Sequence, residues 1–225
     1  MSDSTLLTPL NPTNSIVDSK YSSIVDSKYC VPYDVRFHIG RKRLAFEEYS
    51  FIVTDESGMI NWQIIMYNPL RYNSKFLVHD NEGKIIMTVC PGNVEFFSKS
   101  TYKVYKGDST DEKDFLFSMK RPWGLFWKCD LEGYLPSTKE EKGGFDFEAV
   151  GFWLNSDFVV KQKGGYVLAD GCFGYNRWSQ NFNVIVSSNV DYAFMVAVAL
   201  MYFDSSTGSP ESWLENPEDI PSDDD

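Results

Sequence analysis

The sequence contains none of the short motifs that mark common enzyme sites. No GxSxG, GxxxxGK[ST], HExxH or GxGxxG pattern occurs in its 225 residues, so the usual signatures of hydrolases, nucleotidases, zinc proteases and dinucleotide-binding enzymes are missing. It has only two histidines, His38 and His79. Each lies at a predicted turn or strand end, where a surface or structural role is expected. No nucleophile, base and orienting group can be assembled. We therefore expect a protein that is not an enzyme and holds no metal ion or cofactor.

Close cysteine pairs and long apolar segments are also missing. The chain has no apolar run of the roughly 20 residues that span a membrane, no signal segment and no Met-Gly start. These absences predict a cytoplasmic protein, with the inner membrane face and the nucleus left open. The cysteines show no CxxC spacing, which favours reduced, mostly buried thiols over a disulfide framework; they are Cys30, Cys90, Cys129 and Cys172.

Negative charge is concentrated near the C-terminus. The formal net charge is −11, and residues 204–225 hold eight acids and no Lys or Arg, which leaves −3 for residues 1–203. A mildly acidic body does not favour nucleic acid as a direct partner. The composition of residues 205–225 predicts a disordered acidic tail, because a segment rich in prolines and in charges of one sign cannot form a buried core. Trp213 and Leu214 give this segment a second interpretation, as a short docking motif for a protein partner.

A tandem repeat lies in the polar N-terminal part. The motif SIVDSKY occurs at residues 15–21 and again at 23–29. Two copies are too few for a solenoid, so we interpret them as a local duplication in a flexible arm, residues 1–33. Residues 34–204 are then expected to form one folded domain.

An apolar run from Ala193 to Phe203 is the most informative segment of the chain. It is too short to cross a membrane and too uniform for a surface helix or a half-buried strand. A helix over residues 190–203 must therefore be surrounded by protein. Ser188 and Asp191 fit a Ser-x-x-Asp helix-start signal.

Alternating strand and turn patterns fill the chain between the arm and this helix. Hairpin turns such as DESG and DNEG separate the apolar runs. We predict a mainly β fold, a closed β-barrel of about twelve strands around one buried C-terminal hydrophobic helix. The predicted strands are residues 35–39 (with 42–46 as its possible continuation), 49–54, 59–66, 75–79, 84–89, 101–106, 115–119, 125–131, 145–150, 157–162, 166–172 and 180–187.

Three segments, in the right order, resemble the LURP-one-related family. They are NVDYAFMVA at residues 189–197, continuing to Asp204; CVPY at 30–33 with FIVTDESG at 51–58; and FDFE at 145–148 with GFWL at 151–154. The resemblance covers roughly residues 29–205. It implies a barrel like the C-terminal domain of tubby proteins.

For function, the resemblance implies a non-enzymatic binding or signalling module. Some members of the family are linked to plant defence. The tubby-like fold suggests a membrane-tethered regulator that binds phosphoinositides, and the more distant similarity to scramblases suggests a lipid-handling protein as the alternative. This is an analogy between folds, so an unknown protein partner is the first expectation and an anionic lipid the second.

Binding a phosphoinositide headgroup requires several Lys or Arg side chains that converge. The candidates are Arg41, Lys42 and Arg43 at a predicted turn, and Lys120 and Arg121 together with Lys128. Lys161 with Lys163 is a weaker pair. Each cluster also fits a plain solvated turn. Where related sequences often carry basic residues this chain has CPG at 90–92 and CFGY at 172–175, which weakens the lipid interpretation.

Overall fold

The described part of the chain contains fourteen strands, one long α-helix and three single-turn 3-10 helices, Ser19–Tyr21, Ser27–Tyr29 and Glu112–Asp114. The computed structural model describes residues 19–43, 49–67, 75–92, 94–95, 98–99, 101–122, 130–138, 144–151, 157–173 and 181–207. Helix α1 spans Tyr192–Thr207. The strands are β1 (Val35–Arg43), β2 (Tyr49–Asp55), β3 (Asn61–Tyr67), β4 (Lys75–His79), β5 (Ile85–Pro91), β6 (Val94–Glu95), β7 (Ser98–Lys99), β8 (Thr101–Lys106), β9 (Phe115–Lys120), β10 (Leu131–Tyr134), β11 (Phe147–Gly151), β12 (Asp157–Gln162), β13 (Val167–Phe173) and β14 (Phe182–Val186).

Twelve of these strands form one closed antiparallel barrel. Each strand pairs with the next along the chain, except that β5 pairs with β8 because the β6–β7 hairpin is inserted between them. The ring closes where β1 pairs with β14, with Val35 opposite Val186 and Ile39 opposite Phe182. Closure removes the exposed strand edges that an open sheet would present. The predicted closed barrel is confirmed.

The strands agree with the prediction in one place and differ from it in others. The run over 42–46, which the sequence offers as a continuation of the first strand, is part of β1 as far as Arg43, where the last residues of β1 pair with β2; residues 44–48 lie outside the described residues. The strand predicted over 125–131 lies mostly outside the described residues, and β10 starts at Leu131. The β6–β7 hairpin has no counterpart in the prediction, since two-residue strands are too short to show alternation.

Helix α1 passes through the middle of the barrel and is buried on all sides. Every side chain from Ala193 to Phe203 is at most 2% exposed. Phe194 packs edge-to-face against Phe117 and Phe147 of the wall, with ring centroids 4.8 and 4.9 Å apart. Burying one large apolar side chain contributes about 1.5–3 kcal/mol, so this run is a major source of stability. The predicted central helix is confirmed.

The start of α1 is set by Asp191 and not by Ser188. The Oδ1 atom of Asp191 accepts the backbone N–H groups of Ala193 and Phe194 at 3.0 and 3.1 Å, which is the geometry of an N-cap. Asn189 has a φ of 62°, a left-handed value that no residue inside a helix adopts. The predicted helix start at residue 190, with its Ser-x-x-Asp signal, is therefore wrong by two residues.

Residues 19–34, which we call the strap, lie across the barrel end where α1 starts. Tyr21 and Tyr29, the last residues of the two repeat copies, are only 0% and 5% exposed. Tyr21 stacks on Phe194, whereas Tyr29 packs edge-on against Trp62 of β3. The described part of the predicted arm is therefore packed on the core, and the two copies make different contacts. The division of the chain into arm, domain and tail remains a prediction, because residues 1–18 and 208–225 lie outside the described part.

The two ends of the barrel are distinguished by the direction of the helix. We call the end where α1 starts the upper end and the end where it finishes the lower end. β1 begins beside the strap at the upper end, and the strands alternate in direction. Consequently β1, β3, β5, β9, β11 and β13 all finish at the lower end.

Candidate functional site

The topology brings five of the six predicted headgroup-binding residues to the lower end of the barrel. Arg41, Lys42 and Arg43 are the last residues of β1. Lys120 is the last residue of β9, and Arg121 follows it. These residues are far apart in sequence, yet both strands finish at the same end. In the structure, these predicted site residues are therefore the basic ends of two strands.

The sixth member of the predicted set, Lys128, lies outside the described residues. In the backbone pairing of β1 with β2, Arg41 lies opposite Phe51. The role of the six residues in binding an anion stays a prediction.

The two basic strand ends are on opposite sides of the barrel. In the ring of twelve strands, β1 and β9 are six places apart. With strands spaced about 4.8 Å apart and tilted, such a ring is roughly 20 Å across. One inositol phosphate headgroup is much smaller than that span. The structure therefore does not gather these residues into a single headgroup pocket.

Arg121 has a structural contact that the sequence did not reveal. Its Nη2 atom donates to the carbonyl oxygen of Ser205 in the last turn of α1, at 2.7 Å. The last carbonyl groups of a helix have no partner within the helix, and a basic side chain there also matches the helix dipole. The Nε atom of Arg121 is buried and has no hydrogen-bond partner among the described residues. Arg121 thus holds the end of the helix.

A buried tyrosine–carboxylate pair lies beside this contact. Tyr102, at the start of β8, donates its hydroxyl to Oδ2 of Asp204 at 2.9 Å. Burial, and then the nearby Asp204 carboxylate, raise the pKa of Tyr102 well above its usual value, so the phenol stays protonated. The pair fastens the last turn of α1 to the wall. Asp204 is only 2% exposed, so its charge is withdrawn from the lower surface.

The remaining candidate lysines have acidic neighbours or lie at the other end. Lys120 is exposed but pairs in register with Glu132 of β10. Lys161 pairs in register with Glu148 of β11, and Lys163 lies in the next turn, at the upper end. Lys161 and Lys163 therefore do not share a surface with the lower-end bases.

Asp191, which the sequence placed in the helix-start signal, has a second role at the upper end that the sequence did not predict. Besides capping α1, its Oδ2 accepts the backbone N–H groups of Val25 and Asp26 in the strap, at 2.7 and 3.2 Å. Complete burial raises the pKa of Asp191 to about 6, although the four N–H donors act in the opposite direction. The capping role had a sequence signal, namely an acidic residue directly before an apolar helix. No sequence signal indicated the hydrogen bonds between Asp191 and the strap.

The two histidine side chains make local contacts, and the described cysteine side chains are free. Nδ1 of His38 lies 3.0 Å from Oδ1 of Asn183 on β14, and Nδ1 of His79 lies 3.2 Å from the carbonyl oxygen of Gly83. Within the described ranges, no group of three His, Cys, Asp or Glu side chains is placed to hold a metal ion. The prediction of mostly buried thiols is wrong for the three described cysteines: Cys30 and Cys90 are partly exposed and Cys172 is exposed, and all three are free. Cys129 lies outside the described residues.

Among the described residues, no helix combines the length and the apolar character needed to cross a bilayer.

Comparison with known proteins gives one consistent family. The sequence profile of the LURP-one-related family matches residues 35–203. The chain is 30% identical to protein LURP-one-related 15 of Arabidopsis thaliana over 199 residues, covering 84% of each chain. It is 30% identical to LURP-one-related 10 of the same plant, covering 78% of this chain and 92% of that relative. It is 29% identical to the Arabidopsis protein LURP1, covering 83% and 87%.

A solved structure supports the fold independently. An X-ray structure of a protein from Arabidopsis thaliana superposes with a TM-score of 0.57 at 27% sequence identity. The match covers 80% of this chain and 96% of that one.

Proposed function

The chain belongs to the LURP-one-related family, and on this premise we propose that it is a non-enzymatic binding and signalling module. Its lower end would face an anionic, phosphoinositide-containing membrane surface or a partner held there. The protein would then act peripherally at the inner face of a membrane. A role in plant defence, which the family resemblance suggests, is the biological context of this proposal.

The observation that carries the proposal is the position of the basic strand ends. β1 finishes with Arg41, Lys42 and Arg43, and β9 finishes with Lys120 followed by Arg121. A Lys or Arg near an anionic membrane contributes about 1 kcal/mol, so several at one end can produce measurable binding.

The geometry favours a lipid surface over a single deep headgroup pocket. The two groups of bases lie across the barrel from each other, roughly 20 Å apart. Several lipids in a bilayer can contact both groups at once, whereas one headgroup cannot. Binding by this route depends on distributed charge, so it should weaken as ionic strength rises.

The alternative, a scramblase-like lipid-handling protein, needs α1 to contact lipid. Instead, the side chains from Ala193 to Phe203 are at most 2% exposed within the closed wall. Exposing this run to a bilayer would require the barrel to open and its strand pairing to break. The burial of α1 therefore supports the binding module.

The test is flotation with phosphatidylcholine vesicles that contain phosphatidylinositol bisphosphate. The wild-type chain should float with the vesicles at about 50 mM salt and be released near 500 mM, because added salt screens exposed charges. Replacing Arg41 and Arg43 together by Ala should remove about 2 kcal/mol, or roughly 30-fold in affinity. Circular dichroism should show that the double variant is still folded, so that lost flotation reports lost binding.

A matched control uses two lysines at the opposite end. Lys84 and Lys163 are exposed and lie in upper-end turns, so replacing both by Ala should leave flotation unchanged. Equal loss in both double variants would show that total charge, and not the lower end, controls binding. If the wild-type chain stays at the bottom of the gradient, and still does so after the acids that follow Thr207 are replaced by their amides, the lipid proposal is wrong.

A further inference from the structure

The acidic C-terminal segment leaves the barrel at the basic lower end. α1 finishes at Thr207, and its last turns are anchored on both sides of the barrel. Phe203 packs against Phe51 with ring centroids 5.6 Å apart, and Phe51 is the register partner of Arg41. On the opposite side, Arg121 donates to the Ser205 carbonyl oxygen at 2.7 Å. The chain beyond Thr207 therefore starts between the two groups of basic residues.

The charge of this segment is complementary to the two groups of basic residues, although Glu132 and Asp157 also lie at the lower end. Residues 208–225 contain no Lys or Arg. They carry seven acids, namely Glu211, Glu215, Glu218, Asp219, Asp223, Asp224 and Asp225. A segment of this charge, tethered beside basic strand ends, is a potential ligand for the same residues that would contact an anionic surface.

The segment is also long enough to reach both groups. Its 18 residues span at most about 60 Å when fully extended, and roughly 20–25 Å on average as an unstructured chain. The second figure is similar to the width of the barrel. Tethering at this length gives an effective local concentration of the order of 1 mM. The docked state would therefore be populated even if the segment binds the lower end weakly.

We propose that residues 208–225 bind the basic lower end within the same molecule and compete there with an anionic surface. The competition rests on the proposed function, since it regulates the same basic residues. The docking itself does not, because it needs only the basic strand ends and the acidic segment. An acidic segment that occupies these residues lowers membrane affinity until it is displaced by lipid, by salt or by a basic partner.

Docking is tested with a fluorescent synthetic peptide of residues 208–225. The receptor is the full-length chain with its seven acids after Thr207 replaced by Gln or Asn, called the neutral-tail chain. Anisotropy should show saturable binding at about 50 mM salt, at least fivefold weaker at about 300 mM because exposed charges are screened. A peptide with the same seven amide replacements should not bind.

The position of docking is tested on the same receptor. Adding Arg41→Ala and Arg43→Ala to the neutral-tail chain should weaken peptide binding at least fivefold, and adding Lys84→Ala and Lys163→Ala should not. A peptide that fails to bind overturns the proposal, as does binding that is insensitive to salt or to Arg41 and Arg43. A Trp213→Ala peptide that loses all binding while its charge is intact would also overturn it, in favour of apolar docking.

Competition is tested by flotation with the vesicles described above. With a docking constant of about 0.1 mM and an effective concentration of about 1 mM, the neutral-tail chain should bind vesicles about tenfold more tightly than wild type. Equal binding by the two chains overturns the competition. If neither chain floats, the proposed lipid function fails, and the peptide titration alone decides whether the segment docks.

Discussion

Replacing Tyr21 by Ala tests whether the strap is part of the folded barrel. Tyr21 is completely buried although it belongs to the repeat that the sequence assigns to a flexible arm. Its ring lies 6.4 Å from that of Phe194, and its hydroxyl donates to the carbonyl oxygen of Asp146 at 2.6 Å. The nearby Lys20 forms an ion pair with the Asp146 carboxylate at 3.0 Å.

The expected loss of stability follows from these contacts. Truncating a buried aromatic side chain to Ala costs about 3–5 kcal/mol, because contacts are lost and a cavity remains. Partial undocking of the strap would relieve some of this cost, so we expect about 3 kcal/mol. Tyr21→Phe should lose only about 1 kcal/mol, the net value of one hydrogen bond. The Asp146 carbonyl oxygen would not be left unpaired, since it also accepts the N–H of Lys163.

The assay is urea unfolding followed by tryptophan fluorescence and circular dichroism. For an m-value of about 3 kcal/mol/M, the midpoint of Tyr21→Ala should fall by about 1 M. The matched control is Tyr33→Ala, because Tyr33 lies in the same strap and is 59% exposed; its effect should stay within about 0.5 kcal/mol. A loss below about 1 kcal/mol for Tyr21→Ala would show that the strap contributes little and that the arm interpretation was adequate.

Three further predictions concern the core and the helix start. The pKa of Asp191 is raised from 3.8 to about 6, so the native state binds protons more readily than the unfolded state. Its contribution to the free energy of unfolding should therefore be full below about pH 4 and fall by about 3 kcal/mol as the pH rises through 6. The measurement is the difference in the free energy of unfolding between wild type and Asp191→Ala as a function of pH. A difference that does not vary with pH contradicts the prediction. Phe194→Ala should cost about 3–5 kcal/mol in urea unfolding through cavity formation, and a cost below about 0.5 kcal/mol would contradict the central position of α1. Gly133→Ala should lower the free energy of unfolding by about 1–3 kcal/mol, because the new methyl group would overlap the ring of Phe147. The control is Gly144→Ala, whose methyl group would meet only the flexible end of a lysine side chain. Similar melting temperatures for the two glycine variants would refute the close Gly–Phe packing.

The site was only partly predictable from sequence. A run such as Arg41 to Arg43 is visible as charge, so its residues could be named. Whether β1 and β9 finish at the same end depends on the number of strands between them, and the spacing across the ring depends on closure. The contact of Arg121 with Ser205 joins residues 84 positions apart, and no local pattern encodes it.

The repeat shows the same limit at the upper end. Both copies have the same seven residues, so any local argument must treat them alike. In the structure Tyr21 packs beside Phe194 and Tyr29 beside Trp62, because each copy meets a different part of the barrel. Identical local sequence therefore leads to different tertiary contacts.

By itself, the sequence determined the class of this protein and the location of its core. An apolar run without a polar stripe must be enclosed by protein, and strands with alternating polarity and short turns can form the wall around it. Both patterns are local, so each can be recognised within one segment of the sequence. Only the tertiary structure decided which residues become neighbours. It placed Asp191 against the strap, separated two basic groups across one barrel end, and directed the acidic segment to start between them. These arrangements depend on strand order and closure, which are properties of the whole chain and not of any window within it.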